Sequence, residues 1–325
     1  MEVLIVEPLD PDVLDWLSAR HPVVYAPHLA HDPAGLRDAL AQARALVIPP
    51  SVALDAALLR SARRLLAVGR LSAGAENIDL EACALAGIEV LRPSDSSSLA
   101  EAEFAVGALL QMLRRVPVVA ADGLLVGREL GSAVVGLIGC PASARPLARL
   151  LSAFGTRVVG YDPAMHMSDP LWGSWGIEAL PLRDVLAQSD GLCVLLSYFS
   201  RYQGLLGERQ LADCKPSQVI FSLVPSGIFD ERALARALAQ RRIVAAWFDG
   251  LEPGTLDPGR ALHGVTALQV TPRVAATTQE SRRRSARWAV AERIDEVLRQ
   301  RARRGDFRVT TPGGLAGRAA GPEPA

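Results

Sequence analysis

Short apolar runs of strand type alternate with helical patterns along the first third of the chain. The strand-like runs are residues 3–6, 23–25, 45–48, 65–68 and 89–91, and residues 54–64 read as helix between two of them. This alternation predicts a parallel sheet covered by helices on both faces. A second block repeats it from Val134 through 157–161, 191–196, 219–223, 243–248 and 268–270. Two α/β domains are the expected result. Leu99, Phe104, Val106, Leu109, Leu110 and Leu113 recur at helical spacing and predict a long helix over 99–115 that bridges the two sheets, with a cleft opening beside it. Residues 280–304 form another helix pattern, and the Gly-, Pro- and Ala-rich stretch 310–325 predicts a disordered tail.

Composition narrows the class. The chain has 325 residues, 50% of them hydrophobic, enough for two domains with large cores. Its 35 basic and 35 acidic residues cancel, so no global field draws it to nucleic acid or an anionic membrane. Arginines crowd the helix at 280–304, but Glu280, Glu292, Asp295 and Glu296 are interleaved and no aromatic platform accompanies them; a solvated face is the better reading than an RNA surface. Cys83, Cys140, Cys193 and Cys214 are widely separated, with no CxxC spacing, which indicates neither zinc nor a disulfide framework. The histidines His21, His28, His31, His166 and His263 make no metal-ligand spacing. The N-terminal residues lack a basic segment followed by a long apolar core, and a reducing cytoplasm is the expected location.

The most informative segment is Val135-Gly136-Leu137-Ile138-Gly139-Cys140-Pro141-Ala142-Ser143-Ala144, followed by a helical pattern, a strand and Tyr161-Asp162-Pro163. It reads as a dinucleotide-binding βαβ unit with an altered phosphate loop. An intact fingerprint has glycine at Gly139 and at the positions of Pro141 and Ala144, so that a pyrophosphate lies against backbone N–H groups at the helix start. Ala144 is a mild change. Pro141 has no N–H and places a ring where the phosphates approach, and one lost donor costs about 1–3 kcal/mol, or roughly ten- to a hundredfold in affinity. Asp162 ends the second strand about 20 residues past the loop, where a carboxylate accepts the hydroxyls of an adenosine ribose; this favours NAD over NADP. The alternative is that Asp162-Pro163 is only a strand-ending turn.

The order of motifs along nearly the whole chain resembles the NAD-dependent D-2-hydroxyacid dehydrogenase family, which includes D-3-phosphoglycerate dehydrogenase. The marks are Val68-Gly69-Arg70-Leu71-Ser72-Ala73-Gly74-Ala75-Glu76-Asn77-Ile78-Asp79, Ser98-Leu99-Ala100-Glu101, Glu129-Leu130-Gly131, the altered fingerprint, Gly204-Leu205-Leu206, Ile228-Phe229-Asp230-Glu231-Arg232-Ala233-Leu234, Asp249-Gly250-Leu251-Glu252-Pro253 and Thr271-Pro272-Arg273. The resemblance implies two Rossmann-like, doubly wound parallel-sheet α/β domains with a cleft between them. It implies a split substrate domain, residues 1–98 plus 276–309, and a nucleotide-binding domain, residues 99–275. It also implies NAD as cofactor, with weak or absent binding expected from Pro141, and Gly139, Ser143, Ala144, Asp162 and Asp249 as its contacts.

In that family a histidine exchanges the hydroxyl proton, a glutamate supports it and an arginine holds the substrate carboxylate. Laid on the motifs, the arginine position is Pro225, the glutamate position Gly254 and the histidine position Arg273, with Glu252 two residues away as an alternative to Gly254. Arginine stays protonated and cannot serve as a base. The expectation is a protein inactive as a hydroxyacid dehydrogenase that binds a ligand or regulates. The alternative is an NAD-dependent oxidoreductase acting on a small anionic 2-hydroxy or 2-oxo acid with other residues, for which Asp95, Glu101 and Tyr198 are candidates. Arg70, Gly74 and Arg273 are the candidate contacts for a small anion, Arg70 having an ordinary surface role as its alternative. Ser197-Tyr198-Phe199 stands where relatives carry Pro-Leu-Thr. The segment 118–130 is shorter than the family's dimer arm and lacks its tryptophan, which puts the usual homodimer in question.

Overall fold

The computed structural model describes residues 2–71, 77–93, 95–115, 118–119, 121–196 and 200–303. Ser72-Ala73-Gly74, Ser197-Tyr198-Phe199 and the tail expected at 310–325 therefore lie outside the described residues. The chain divides into two compact units, one made of Met1–Ser96 with the segment from Arg282 onward, the other of Ser97–Ser281.

The first unit contains a five-stranded parallel sheet: β1 (Val3–Ile5), β2 (Val23–Tyr25), β3 (Ala45–Val47), β4 (Ala67–Gly69) and β5 (Glu89–Leu91), in the order β2-β1-β3-β4-β5. The helices α1 (Pro11–Ser18) and α2 (Pro33–Leu40) both start on an Asp-Pro pair. Asp10 accepts the Asp12 N–H and Asp32 accepts the Gly35 N–H, while each proline occupies a position that needs no N–H. Leu4, Leu46 and Val68 face one apolar layer while Val3, Ile5, Ala45, Val47 and Ala67 face the other, as strand alternation requires. That second layer is completed by Ala286, Val290, Ile294 and Leu298 of the C-terminal helix. His21 holds this helix to the sheet, with Nδ1 3.0 Å from Glu2 and Nε2 2.9 Å from Asp295.

Two expectations need correction. Residues 54–64 are not one helix: only α3 (Ala56–Leu59) is helical. Leu54 is drawn into a parallel bridge with Ile78, and the Ser61 hydroxyl bonds the Leu58 carbonyl in the turn after α3. The C-terminal helix is continuous but not uniform. Its middle, Ser285–Glu292, is π-helical between α-helical Gln279–Arg284 and Arg293–Arg303. After α4 (Leu80–Leu85), the chain enters β5 at the sheet edge.

In the second unit the long helix α5 (Ser98–Arg115) comes first, then an antiparallel hairpin of β6 (Val118–Val119) and β7 (Leu125–Val126). The parallel sheet comes next, with β8 (Val134–Ile138), β9 (Arg157–Tyr161), β10 (Glu178–Ala179), β11 (Gly191–Val194), β12 (Gln218–Ser222), β13 (Ile243–Asp249) and β14 (Leu268–Thr271). Its seven strands run β10-β9-β8-β11-β12-β13-β14, so the order reverses at β8/β11. Val135, Leu137, Cys193, Val219 and Phe221 pack under α5 and α6 (Ala144–Ala153), with Phe104 edge-on to Trp247 at 5.5 Å. Ile138, Leu192, Val194 and Ile220 face the opposite layer. Both faces are covered, which is why these strands are apolar without alternation. Among the described residues no helix is long and apolar enough to cross a membrane, and no group of three His, Cys, Asp or Glu is placed to hold a metal ion.

Candidate functional site

In a doubly wound sheet, ligands bind outside the carboxyl ends of the strands where the order reverses. In the second unit this point is the turn from β8 into α6. Gly139 has φ +89°, and a Cβ there would stand 2.3 Å from the Leu196 Cα, so the backbone crossing admits only glycine. The Cys140 N–H donates to Asp162 Oδ2 at 2.7 Å, and Asp162 Oδ1 accepts the Ala164 N–H at 2.7 Å. Asp162 thus fastens the loop to the end of β9, and each oxygen keeps a further lone pair for a ribose hydroxyl.

The loop fits a dinucleotide pyrophosphate. The N–H groups of Ala142 and Ser143 take no hydrogen bond among the described residues. The Ser143 hydroxyl is buried without a partner just before α6, where orphan helix donors and the dipole favour an anion. Pro141 accepts the Ala144 N–H through its carbonyl, and Pro146 removes another donor from the first turn of the helix. Ala144, fully buried, packs the helix against the sheet. Burial pushes the Cys140 thiol, with the Asp162 charge beside it, up to about 12, so this cysteine is a packing residue.

The strand ends of β12, β13 and β14 carry the remaining positions of the second unit. Pro225 precedes the turn Ser226–Ile228. Glu252 closes that turn: it accepts the Ser226 N–H at 3.0 Å, the Ser226 hydroxyl at 2.5 Å and the Gly227 N–H at 3.0 Å. Burial disfavours its charge, but the bonds from Ser226 and Gly227 outweigh it and hold the carboxyl below its ordinary value. Glu252 is therefore an ionised loop brace. Gly254 has φ +81°, a backbone conformation that opposes a side chain.

Asp249 is 6% exposed, and both of its oxygens accept hydrogen bonds. Oδ1 accepts the Thr271 hydroxyl at 2.7 Å and the Val274 N–H at 2.8 Å, and Oδ2 accepts the Ala275 N–H at 2.8 Å. It pins the loop that carries Arg273. Arg273 itself has φ +57°, and its stem lies over Gly250, where a Cβ would meet Arg273 Cγ at 2.5 Å. The Arg273 guanidinium is exposed and has no hydrogen-bond or ion-pair partner among the described residues.

In the first unit Arg70 is no surface residue: it is 4% exposed, and Nη1 donates to Asn77 Oδ1 at 2.5 Å. Asn77 in turn donates to the carbonyls of Pro49 and Val52. Sequence reasoning missed Glu7. It stands just past β1, 4% exposed, and accepts the Leu71 N–H at 3.3 Å. Burial raises its carboxyl above the ordinary value, against the lowering effect of that bond and of Arg282 and Arg70. The signal was its place directly after a fully apolar strand, at the carboxyl end of a sheet whose order reverses between β1 and β3. Of the other candidates, Glu101 accepts the Ser97 hydroxyl at 2.8 Å, and Tyr198 and Gly74 lie outside the described residues.

Residues 109–275 match the family model for the D-isomer specific 2-hydroxyacid dehydrogenase NAD binding domain. The chain is 32% identical over 311 residues to (S)-sulfolactate dehydrogenase from Chromohalobacter salexigens, covering 93% of this chain and 99% of that one. The chain belongs to the D-2-hydroxyacid dehydrogenase family. It is likewise 32% identical over 308 residues to D-3-phosphoglycerate dehydrogenase from Mycobacterium tuberculosis, of which it spans 56%. This D-2-hydroxyacid dehydrogenase family member shares its fold with a D-lactate dehydrogenase from Treponema pallidum (TM-score 0.74, 19% identity, 92% of this chain and 97% of that one). The NAD-complexed enzyme from Lactobacillus delbrueckii ssp. bulgaricus is comparable (TM-score 0.73, 18% identity, 94% and 98%). The second unit is the family's NAD-binding domain, and NAD is its cofactor.

Proposed function

We propose that this family member binds NAD and a small anion but does not oxidise 2-hydroxy acids, and that it acts as a ligand-binding or regulatory protein. Bound NAD supplies a hydride acceptor. Gly139 leaves room for its pyrophosphate, Ala142 and Ser143 donate to it, and Asp162 receives the ribose; Pro141 weakens the fit. The family's histidine position holds Arg273, which stays protonated and cannot take the substrate's hydroxyl proton. The observation that carries the reading is Arg273, a permanently charged side chain without a partner among the described residues, on a loop that Asp249 fixes. Such a group grips a carboxylate, sulfonate or phosphate and accepts no proton.

The test is calorimetric titration with NADH, followed by thermal shift with sulfate, phosphate and carboxylates on the NADH-loaded protein. The expected result is NADH binding, anion-dependent stabilisation, and loss of the second but not the first in Arg273→Ala. Anion stabilisation that persists in Arg273→Ala would overturn the assignment of that residue.

A second reading is an NAD-linked oxidoreductase with acid–base chemistry built on Glu7. Its support is a buried carboxyl raised by its surroundings at a strand end, with Arg70 as a fixed cation in the same unit, and the dehydrogenase names of the relatives. NAD-linked turnover of a small 2-hydroxy acid that Glu7→Gln abolishes, with NADH binding intact, would favour it over the first.

A further inference from the structure

The first unit contains a cavity of about 410 Å³ that flanks the edge strand β5 and the π-helical segment. Glu89, Arg92, Asp95, Arg284, Trp288 and Arg293 are on its wall. Their states differ. Arg293 is spent on Glu89 at 2.5 Å and on Glu296, and Arg284 Nε donates to the Ser96 carbonyl at 2.9 Å. Arg92 and Asp95 are both exposed, and neither has a hydrogen-bond or ion-pair partner among the described residues. They line one cavity with opposite charges yet do not pair with each other.

Trp288 adds a flat apolar surface, 70% exposed. Its exposure has a structural cause. Ser285–Glu292 winds as a π-helix, while Ala286, Val290 and Ala291 are held in the core; a Cβ on Gly69 would stand 2.8 Å from Val290 Cγ1, so that side of the helix sits close on β4. The inner register is fixed, and Trp288 is carried to the surface beside the cavity. Wide helical turns of this kind cluster at functional sites, and the volume falls in the range of small-molecule pockets.

We propose that this cavity binds a zwitterionic α-amino acid with an aromatic side chain. Arg92 receives its carboxylate, Asp95 its ammonium group, and the Trp288 indole stacks on its ring. The ends of the site are joined to the two passages of chain between the units: Ser96 Oγ meets Ser285 Oγ at 2.7 Å, and Arg284 is bonded to the Ser96 carbonyl. An occupant therefore touches the segments that lead out of this unit in both directions, which suits a regulatory ligand.

The experiment is calorimetric titration of the full chain with L-tryptophan, indole-3-propionate, which lacks the ammonium group, and tryptamine, which lacks the carboxylate. We expect saturable binding of L-tryptophan and at least roughly tenfold weaker binding of each analogue, one charge-assisted bond being lost in each case. Arg92→Ala and Trp288→Ala are expected to weaken L-tryptophan binding by a similar factor, and Trp288→Phe to retain it. Both side chains are exposed, so the variants should melt as the parent does. Absence of L-tryptophan binding, equal binding of either analogue, or binding unchanged in Arg92→Ala would overturn the proposal.

Discussion

The Cys140 N–H and the Asp162 carboxylate meet at 2.7 Å, joining the turn after the first strand of the nucleotide unit to the end of the second. The same carboxylate holds the Ala164 N–H with its other oxygen. The residue proposed to receive the ribose is thus also the one that shapes the loop before α6. Asp162→Ala removes two charge-assisted bonds and should cost about 1–3 kcal/mol of stability and weaken NADH by at least roughly tenfold. Chemical denaturation and calorimetry check both; a loss of affinity with unchanged stability would show that Asp162 serves the ligand alone.

Pro141→Gly tests the loop from the other side. The change restores a donor and clears the ring while Gly139, Ala142 and Ser143 stay as they are. NADH should bind roughly ten- to a hundredfold more tightly, as expected for one recovered hydrogen bond of about 1–3 kcal/mol. Calorimetric titration reads the gain directly. Equal affinity in the two proteins would mean that the proline ring faces away from the phosphates.

Glu252 and Glu7 should shape the stability–pH curve in opposite senses. The carboxyl of Glu252 lies below its ordinary value, despite burial, because Ser226 and Gly227 bond its charged form. Its contribution is present above the ordinary glutamate value and is lost as pH falls through the lowered one. Glu7 is raised by burial, so its contribution is present below the ordinary value and lost as pH rises through the raised one. In melts between about pH 3 and pH 8, Glu252→Gln should flatten the acid side, and Glu7→Gln should gain Tm relative to the parent at the alkaline end. Curves parallel to the parent for both variants would contradict these assignments.

The thiols should be inert. Cys140, Cys193 and Cys214 are buried, and burial pushes each up to about 12. Cys83 is buried too and raised for the same reason. A colorimetric thiol reagent at neutral pH should label none of the four in the native protein and all four after denaturation. Rapid labelling of one native thiol would show a local opening around that cysteine, which for Cys140 is the loop before α6.

Much of the architecture was legible because parallel strands buried on both faces read as apolar runs. The strands Ala45–Val47 and Gly191–Val194, buried throughout, lie where the pattern predicts them. The failures have local causes. The expected helix at 54–64 shrank because Leu54 found a partner in Ile78 across the sequence, a long-range pairing that no window of residues reveals. Gly139 was readable as an obligatory glycine, whereas the fastening of Cys140 to Asp162 was not, since it depends on two strands lying side by side. Asp249 and Glu252 were visible as carboxylates near the motif, but their spending on loop N–H groups is a tertiary fact. Glu7 escaped notice for the same reason: a glutamate before a proline reads as a turn until the burial around it is known.

The function proposed for this chain separates cofactor binding from hydroxyacid oxidation. The decisive measurement reads both on one preparation: NADH affinity by calorimetry, and NAD reduction with a panel of 2-hydroxy acids that includes sulfolactate, 3-phosphoglycerate and D-lactate. Saturable NADH binding with no NAD reduction above the protein-free rate is expected. Turnover of any member of the panel above that rate would contradict the proposal, and turnover that persists in Arg273→Ala and in Glu7→Gln alike would place the proton-transfer group elsewhere in the chain.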